Sequence, residues 1–289
     1  MRIHIAFLLW VTALAPACAA DPSWLHLDNG RIRLGVSTNA GASIGFFAES
    51  RTGRNLLNHF DHGRFIQQSW YGVEDGSLWN NKPWRWNPVQ GGDWRGHPAK
   101  LLELRHTATN LYARTQPKHW ASGADITDAV MEEWITLTGP VAHLRFKFTY
   151  TGATKHPPRH QELPAVFADY ALTNLVTYTG NAPWTGAAPT RRVPGWPNEY
   201  ARMDESWAAY VDALDRGLGV FVPGVTELTC YRHPGAAGPK GAGCSYFAPI
   251  RAMAVTNGFT YAYDVYLTIG TVGELRERFR QIQKARPFN

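Results

Sequence analysis

Leu144-Arg145-Phe146-Lys147-Phe148-Thr149-Tyr150 sets an apolar or aromatic side chain at every second position, with a polar one between each pair. A period of two marks a strand with one face in a core and one in solvent, because successive side chains leave opposite sides of the pleat. The same texture recurs through the chain. Arg31-Ile32-Arg33-Leu34-Gly35-Val36 alternates likewise, and further strands are predicted at 43–49, 101–109, 131–137, 172–178, 208–212, 218–222 and 259–269. Asp28-Asn29-Gly30, Arg51-Thr52-Gly53 and Thr138-Gly139-Pro140 supply turn chemistry between them. Many strands at short intervals, with no helices alternating between them, predict an all-β chain folded as an antiparallel β-sandwich. One helix is specified, at the C-terminal end. Thr271-Val272-Gly273-Glu274 reads as a capping box, and Val272, Leu275, Phe279 and Ile282 follow at helical spacing. Arg276, Arg278 and Arg280 are expected to form its solvated face.

The first residues predict the compartment. Arg2, the apolar run Ile5-Ala6-Phe7-Leu8-Leu9-Trp10-Val11-Thr12-Ala13-Leu14 and the small residues Ala17-Cys18-Ala19-Ala20 read as a signal peptide over 1–20. That leaves 21–289 as a single domain, exported to the periplasm or the medium. A lipoprotein modified at Cys18 is the alternative, for which Ala15-Pro16-Ala17 is a poor lead-in; a buried N-terminal element is another. No stretch reaches the roughly 18 apolar residues of a membrane span. The net charge of +6 and pI near 9.3 suit a protein that meets acidic polymers, although a diffusely charged solvated surface explains them too. Lys and Arg are spread rather than massed, which argues against a nucleic-acid partner. Beyond the leader only Cys230 and Cys244 remain, bracketing a Gly/Pro/Ala loop. In an oxidising compartment they are expected to form a disulfide, with free thiols as the other reading.

Five of the 12 Trp fall between Trp70 and Trp94, set among Asn, Gln, Gly and Arg rather than among aliphatic residues. Flat apolar rings beside amide and guanidinium donors suit a sugar, whose C–H faces stack and whose hydroxyls need convergent partners. Bases stack on aromatics as well. The candidate binding residues are Arg64, Gln67, Gln68, Trp84, Trp86, Asn87 and Gln90. If 65–71 is extended, Gln67, Ser69 and Tyr71 share one face while Gln68 and Trp70 share the other. Asp93 is the carboxylate of this segment placed for catalysis, and Gly91-Gly92 lets backbone approach a ligand. The alternative is a self-packed loop whose Trp residues cap the sandwich.

Lys155-His156-Pro157-Pro158-Arg159-His160-Gln161-Glu162-Leu163-Pro164 carries three prolines, which hold the backbone extended. In an extended chain His160 and Glu162 share a face about 7 Å apart, with Arg159 and Gln161 on the other. A His beside a carboxylate suits proton transfer; a structural role for these loop-bonding side chains is the alternative. His156 and His160 lack a third ligand at useful spacing, so no metal is expected. Lesser candidates are Glu132, Glu133, Tyr178 and Glu205-Ser206-Trp207, with Trp207 a further binding residue. Nucleophile-elbow, phosphate-loop and dinucleotide motifs are absent from the sequence, and no cofactor is expected.

Asn29-Gly30-Arg31-Ile32-Arg33-Leu34, then Gly41-Ala42-Ser43-Ile44, then Arg54-Asn55-Leu56-Leu57-Asn58, resembles the opening of the galactose-mutarotase-like β-supersandwich proteins. Tyr261-Ala262-Tyr263-Asp264-Val265-Tyr266-Leu267 fits the closing strand of the same plan. The resemblance implies a carbohydrate held on a concave sheet face with His and acidic catalysts, for which His160 and Glu162 are the nearest matches. The His-plus-aromatic-Asn motif of aldose epimerases is missing. The resulting expectation is an exported enzyme that cleaves glycosidic bonds of an oligo- or polysaccharide, acidic polymers included. Hydrolysis would use Asp93 and Glu162. β-Elimination would use His160 or Tyr71 as base, with Arg159 neutralising a uronate. A non-catalytic sugar-binding protein and a sugar epimerase are the alternatives.

Overall fold

A computed structural model describes residues 23–286; the predicted leader, 1–20, lies outside the described residues. Two large antiparallel sheets face each other. The first runs Trp24–Asp28, Ile32–Ser37, Ser43–Glu49, Ile66–Ser69, His156–Asp169, Cys244–Val255, Glu227–His233 and Glu199–Arg202, with the short strands Pro88–Val89 and Lys118–His119 attached beside Ile66–Ser69. The second runs Thr190–Arg192, Asn174–Thr177, Trp207–Val211, Arg216–Phe221, Phe259–Thr271, Val141–Tyr150, Ala129–Thr138, Asn110–Gln116 and Lys100–His106. A separate hairpin, Glu74–Trp79 with Lys82–Arg85, stands off the first sheet.

The alternation of Val141–Tyr150 sits at the centre of the second sheet, and Leu144, Phe146, Phe148 and Tyr150 are all buried. They meet Leu34, Val36, Ile44, Ile66, Trp70 and Val166 of the first sheet in one core. Trp70 stacks on Phe148 with ring centroids 4.4 Å apart. Each such side chain contributes about 1.5–3 kcal/mol by leaving water.

The Pro-rich segment is a central strand, His156–Asp169, paired on both sides. Proline cannot donate to a ladder, and the chain answers with two register shifts, one between His156 and Arg159 and one between Glu162 and Val166. These hold Pro157, Pro158 and Pro164. Between them Arg159, His160, Gln161 and Glu162 keep regular pairing with Ile250, Arg251, Ala252 and Met253.

The expected disulfide does not form: Cys230 and Cys244 are both free, buried thiols. Their strands are neighbours, but Cys230 opposes Phe247 while Cys244 opposes His233, an offset of about 10 Å along the strand. Cys230 also points into the core between the sheets and Cys244 to the opposite face. A bridge would need their Cα atoms within about 7 Å. In denatured, unreduced protein both are expected to react with a thiol reagent; protection of the pair would mean a rearranged sheet.

The helix Val272–Ala285 starts at the anticipated capping box and lays Val272, Leu275 and Phe279 on the outer face of the second sheet. Its arginines are only partly a solvated face. Arg280 pairs with Glu277 at the surface, but Arg276 grips buried Glu205 through two hydrogen bonds of 2.6 and 2.8 Å. Trp207 is fully buried beneath the helix and donates to the same carboxylate at 2.7 Å.

Glu133 is buried near the Gln90 amide, and neither of its oxygens makes a hydrogen bond of good geometry. Burial pushes its carboxyl up to about 8, which the neighbouring Gln90 amide offsets only in part. A raised folded-state value favours the native state while the acid stays protonated. The contribution is fully present below the unfolded value near 4.5 and is lost as pH climbs toward 8. Glu133→Gln is therefore expected to flatten the decline in melting temperature between those pH values; an unchanged profile would contradict the assignment.

Candidate functional site

Tyr246, Ala248 and Ile250 alternate with the core residue Phe247, so they emerge on the face of the first sheet turned away from the second. Glu162 lies across from Ile250 on one side and Ser69 on the other, and shares that face. Tyr246 donates its phenol to Glu162 Oε1, and the hydroxyls of Tyr71 and Ser69 also bond to the carboxyl. Burial raises the Glu162 carboxyl despite these three donors. Burial first, and then the adjacent Glu162, holds the Tyr71 phenol well above its ordinary value. The Tyr71 and Tyr246 phenols therefore keep their protons at neutral pH.

Gln161 fixes Tyr71 beside this carboxyl. Its side-chain oxygen accepts from the Tyr71 backbone N–H at 2.7 Å, and its amide nitrogen donates to the Tyr71 carbonyl at 3.0 Å. Consecutive residues of one strand therefore supply the carboxyl outward and the clamp inward.

Aromatic rings wall the space above. On one side Trp84 packs edge-on to Trp79 at 4.8 Å, and Trp79 in turn to Trp120 at 6.0 Å. Trp84 Nε1 donates to Asn87 at 3.2 Å, and Asn87 donates to Ser69 and to the Trp70 carbonyl, which ties this wall to the floor. On the other side Tyr231 stacks on Tyr246 at 4.4 Å, and exposed Trp196 stands perpendicular to Tyr231 and His233. The groove has two halves. One, of about 500 Å³, is lined by Tyr71, Trp84, Arg85, Arg159, His160 and Glu162 among others. The other, of about 460 Å³, reaches Asp61, Arg64, Trp120, Trp196 and His233. Tyr71, Trp84, Glu162 and Asn198 belong to both, so the halves meet at the carboxyl.

No protein-family model matches the sequence, and no curated protein matches it either. Solved structures do. A galactose mutarotase-like protein from Lactobacillus casei ATCC 334 superimposes with a TM-score of 0.56 at 10% identity, covering 85% of this chain and 99% of its own. A galactose mutarotase related enzyme from Lactobacillus acidophilus gives 0.53 at 10% identity, with 85% and 97% covered. The chain has the galactose mutarotase-like fold. A protein from Synechocystis sp. PCC 6803 matches at a TM-score of 0.54 and 12% identity, over 91% of this chain and 100% of its own. At such identities the likeness is one of fold alone.

On this mutarotase-like sandwich the groove gathers Tyr71, Arg159, His160, Glu162, Trp84, Asn87 and Arg64. His160 is exposed at the rim, its ring 6.0 Å from Tyr200. The remaining candidates stand elsewhere. Asp93 lines neither half: fully buried, it accepts from the backbone N–H of Arg95 and His97 and pairs with the His97 ring at 2.8 Å. Burial pushes its carboxyl up, but the His97 ring and the two backbone amides outweigh that and leave it below its ordinary value. Gln67 spends its amide on Gly91, His62 and Arg64 of the loop. Gln68 points between the sheets to the Glu132 carbonyl, and Gln90 bonds to Gly41 and the Gln68 backbone. Trp86 is stacked on His156 at 4.0 Å against the core, and Trp207 lies under the helix. These side chains serve packing because their strands turn them inward or their polar atoms are needed by loop backbone.

Sequence reasoning missed Ser69, Arg85, Trp120, Trp196, Asn198, Tyr200, Tyr231, His233 and Tyr246 as groove residues. Gly195-Trp196-Pro197-Asn198 carried a usable signal, a Trp in polar loop sequence. Tyr231 and Tyr246 carried none, since only strand pairing brings them to Glu162. Among the described residues no group of three His, Cys, Asp or Glu is placed to hold a metal ion, and no helix is long and apolar enough to cross a membrane.

Proposed function

We propose that the protein is an exported carbohydrate-active enzyme that cleaves glycosidic bonds of an oligo- or polysaccharide lying in the groove. The observation that carries the reading is the Glu162–Tyr71–Tyr246 group at the meeting point of the two aromatic-walled halves. Rings on both sides suit stacked sugars, and retained protons suit acid catalysis at a glycosidic oxygen. Export rests on the apolar N-terminal run.

Elimination is favoured over hydrolysis. Hydrolysis by two carboxylates needs a partner for Glu162. Asp93 is walled off, and the other lining carboxylate, Asp61, is engaged by the Gly63 and Arg64 backbone and by the Arg64 side chain. Elimination keeps all its candidates in one half. His160, whose side chain makes no hydrogen bond among the described residues, takes the C5 proton. The C5–H electrons form the C4=C5 double bond as the C4–O bond breaks, and Tyr71 protonates the departing oxygen. A second reading, interconversion of sugar anomers, is favoured by the names of the structural neighbours.

Incubation with neutral and uronic polysaccharides tests these directly. Ultraviolet-absorbing unsaturated ends are expected from a uronic polymer. New reducing ends without absorbance would point to hydrolysis, and altered anomer exchange by NMR to the second reading. Binding without product from any member would leave a sugar-binding protein and defeat the enzyme reading.

A further inference from the structure

Arg85 closes the hairpin strand Lys82–Arg85 and Arg159 lies on the central strand His156–Asp169, 74 residues apart in the chain, yet both line the same half of the groove with His160. Among the described residues neither arginine side chain forms a hydrogen bond or an ion pair, and the Nε atom of each is buried without a partner. Four arginines elsewhere are matched by contrast: Arg64 with Asp61, Arg191 with Asp215, Arg216 with Glu49 and Arg276 with Glu205. A guanidinium partly withdrawn from water without a counter-charge is costly, and an anion supplied by a ligand relieves that cost. The carboxyl lining this half, Glu162, is occupied by Tyr246, Tyr71 and Ser69. The Arg85 guanidinium also lies over the Trp84 ring, 5.6 Å from its centroid, which holds the charge at the wall where a sugar would stack.

We propose that Arg85 and Arg159, with His160 at the rim, form a carboxylate subsite that selects a free uronate residue of the glycan. The planar fork of a guanidinium matches a carboxylate in two parallel hydrogen bonds. Seated there, the carboxylate is neutralised beside the groups assigned to proton transfer, and neutralisation is what makes the adjacent C5 proton acidic enough to remove. A methyl ester keeps the sugar's shape but loses the charge, and a sulfate keeps the charge without acidifying C5. The inference rests on the carbohydrate-active reading of the groove and names the substrate class for it.

The test is calorimetric titration of the full chain with an oligouronate, its methyl ester, a sulfated neutral oligosaccharide and the unmodified neutral one, repeated with Arg85→Gln and Arg159→Gln. The free uronate is expected to bind at least about tenfold more tightly than its ester, and each variant to lose about that factor for the uronate alone. Unchanged affinity for the neutral oligosaccharide reports an intact groove in the variants. Equal binding of acid and ester, tighter binding of the sulfated ligand, or discrimination that survives both substitutions would overturn the subsite. Uronate selectivity with no product from any polymer would leave the subsite standing and remove the enzyme reading. Product from a neutral glycan with no preference for acid would do the reverse.

Discussion

Tyr71→Phe is expected to lower kcat by about 10²–10⁴-fold, the usual range for a lost acid–base group, with KM changed much less. The substitution removes one oxygen and keeps the ring that lines both halves of the groove. Its backbone clamp by Gln161 uses main-chain atoms of residue 71 and survives. Tyr246 and Ser69 still serve Glu162, so the melting temperature should hardly move. Glu162→Gln is expected to reduce kcat as well, by placing an amide where Tyr71 and Tyr246 direct their hydroxyls. Steady-state kinetics on the best polymer of the panel decides the matter. A raised KM with unchanged kcat would make Tyr71 a binding residue and return proton transfer to His160 alone.

The second large effect is on stability. Asp93→Ala strips two part-buried backbone N–H groups and the largely exposed His97 ring of their buried acceptor. A hydrogen bond to a charged acceptor contributes about 1.5–3 kcal/mol, less where water can replace it, so a loss of roughly 1–3 kcal/mol is expected from chemical denaturation. The sign of its pH dependence follows from the lowered folded-state value. The contribution of Asp93 is present above the unfolded value of 3.8 and disappears as pH falls through the folded one. Folded Asp93→Ala should retain kcat within a few-fold. A variant of full stability and no activity would instead restore Asp93 as a catalytic carboxylate.

The contrast between Asp93 and Glu162 shows what the sequence could and could not disclose. Alternation in 144–150 and 31–36 carries its own evidence for strands, because period two is local, and the parity of 65–71 correctly separates inward Trp70 from outward Tyr71. The helix was equally legible from its capping box. The strand His156–Asp169 was hidden by its prolines, whose missing donors are absorbed by register shifts visible only beside a partner strand. Local reading could not sort the Trp residues either. Trp84 and Trp86 differ by one turn of the pleat, and one faces the groove while the other stacks on His156. The cysteines failed for a related reason, since a bridge depends on register between strands rather than on loop composition. Arg85 went unnoticed because an arginine without a partner has no mark in sequence; only the folded chain shows that its buried Nε finds no acceptor, although Glu74 stands opposite it in the hairpin.

The measurement that bears most directly on the central claim is the ultraviolet absorbance of an unesterified polyuronate incubated with the wild-type protein and, in parallel, with Tyr71→Phe. Steady growth of unsaturated ends with the wild type, and a rate reduced about 10²-fold or more with the variant, is the predicted result. Equal rates from the two proteins, or cleavage confined to neutral glycans and silent in the ultraviolet, would contradict an elimination centred on Tyr71 and Glu162.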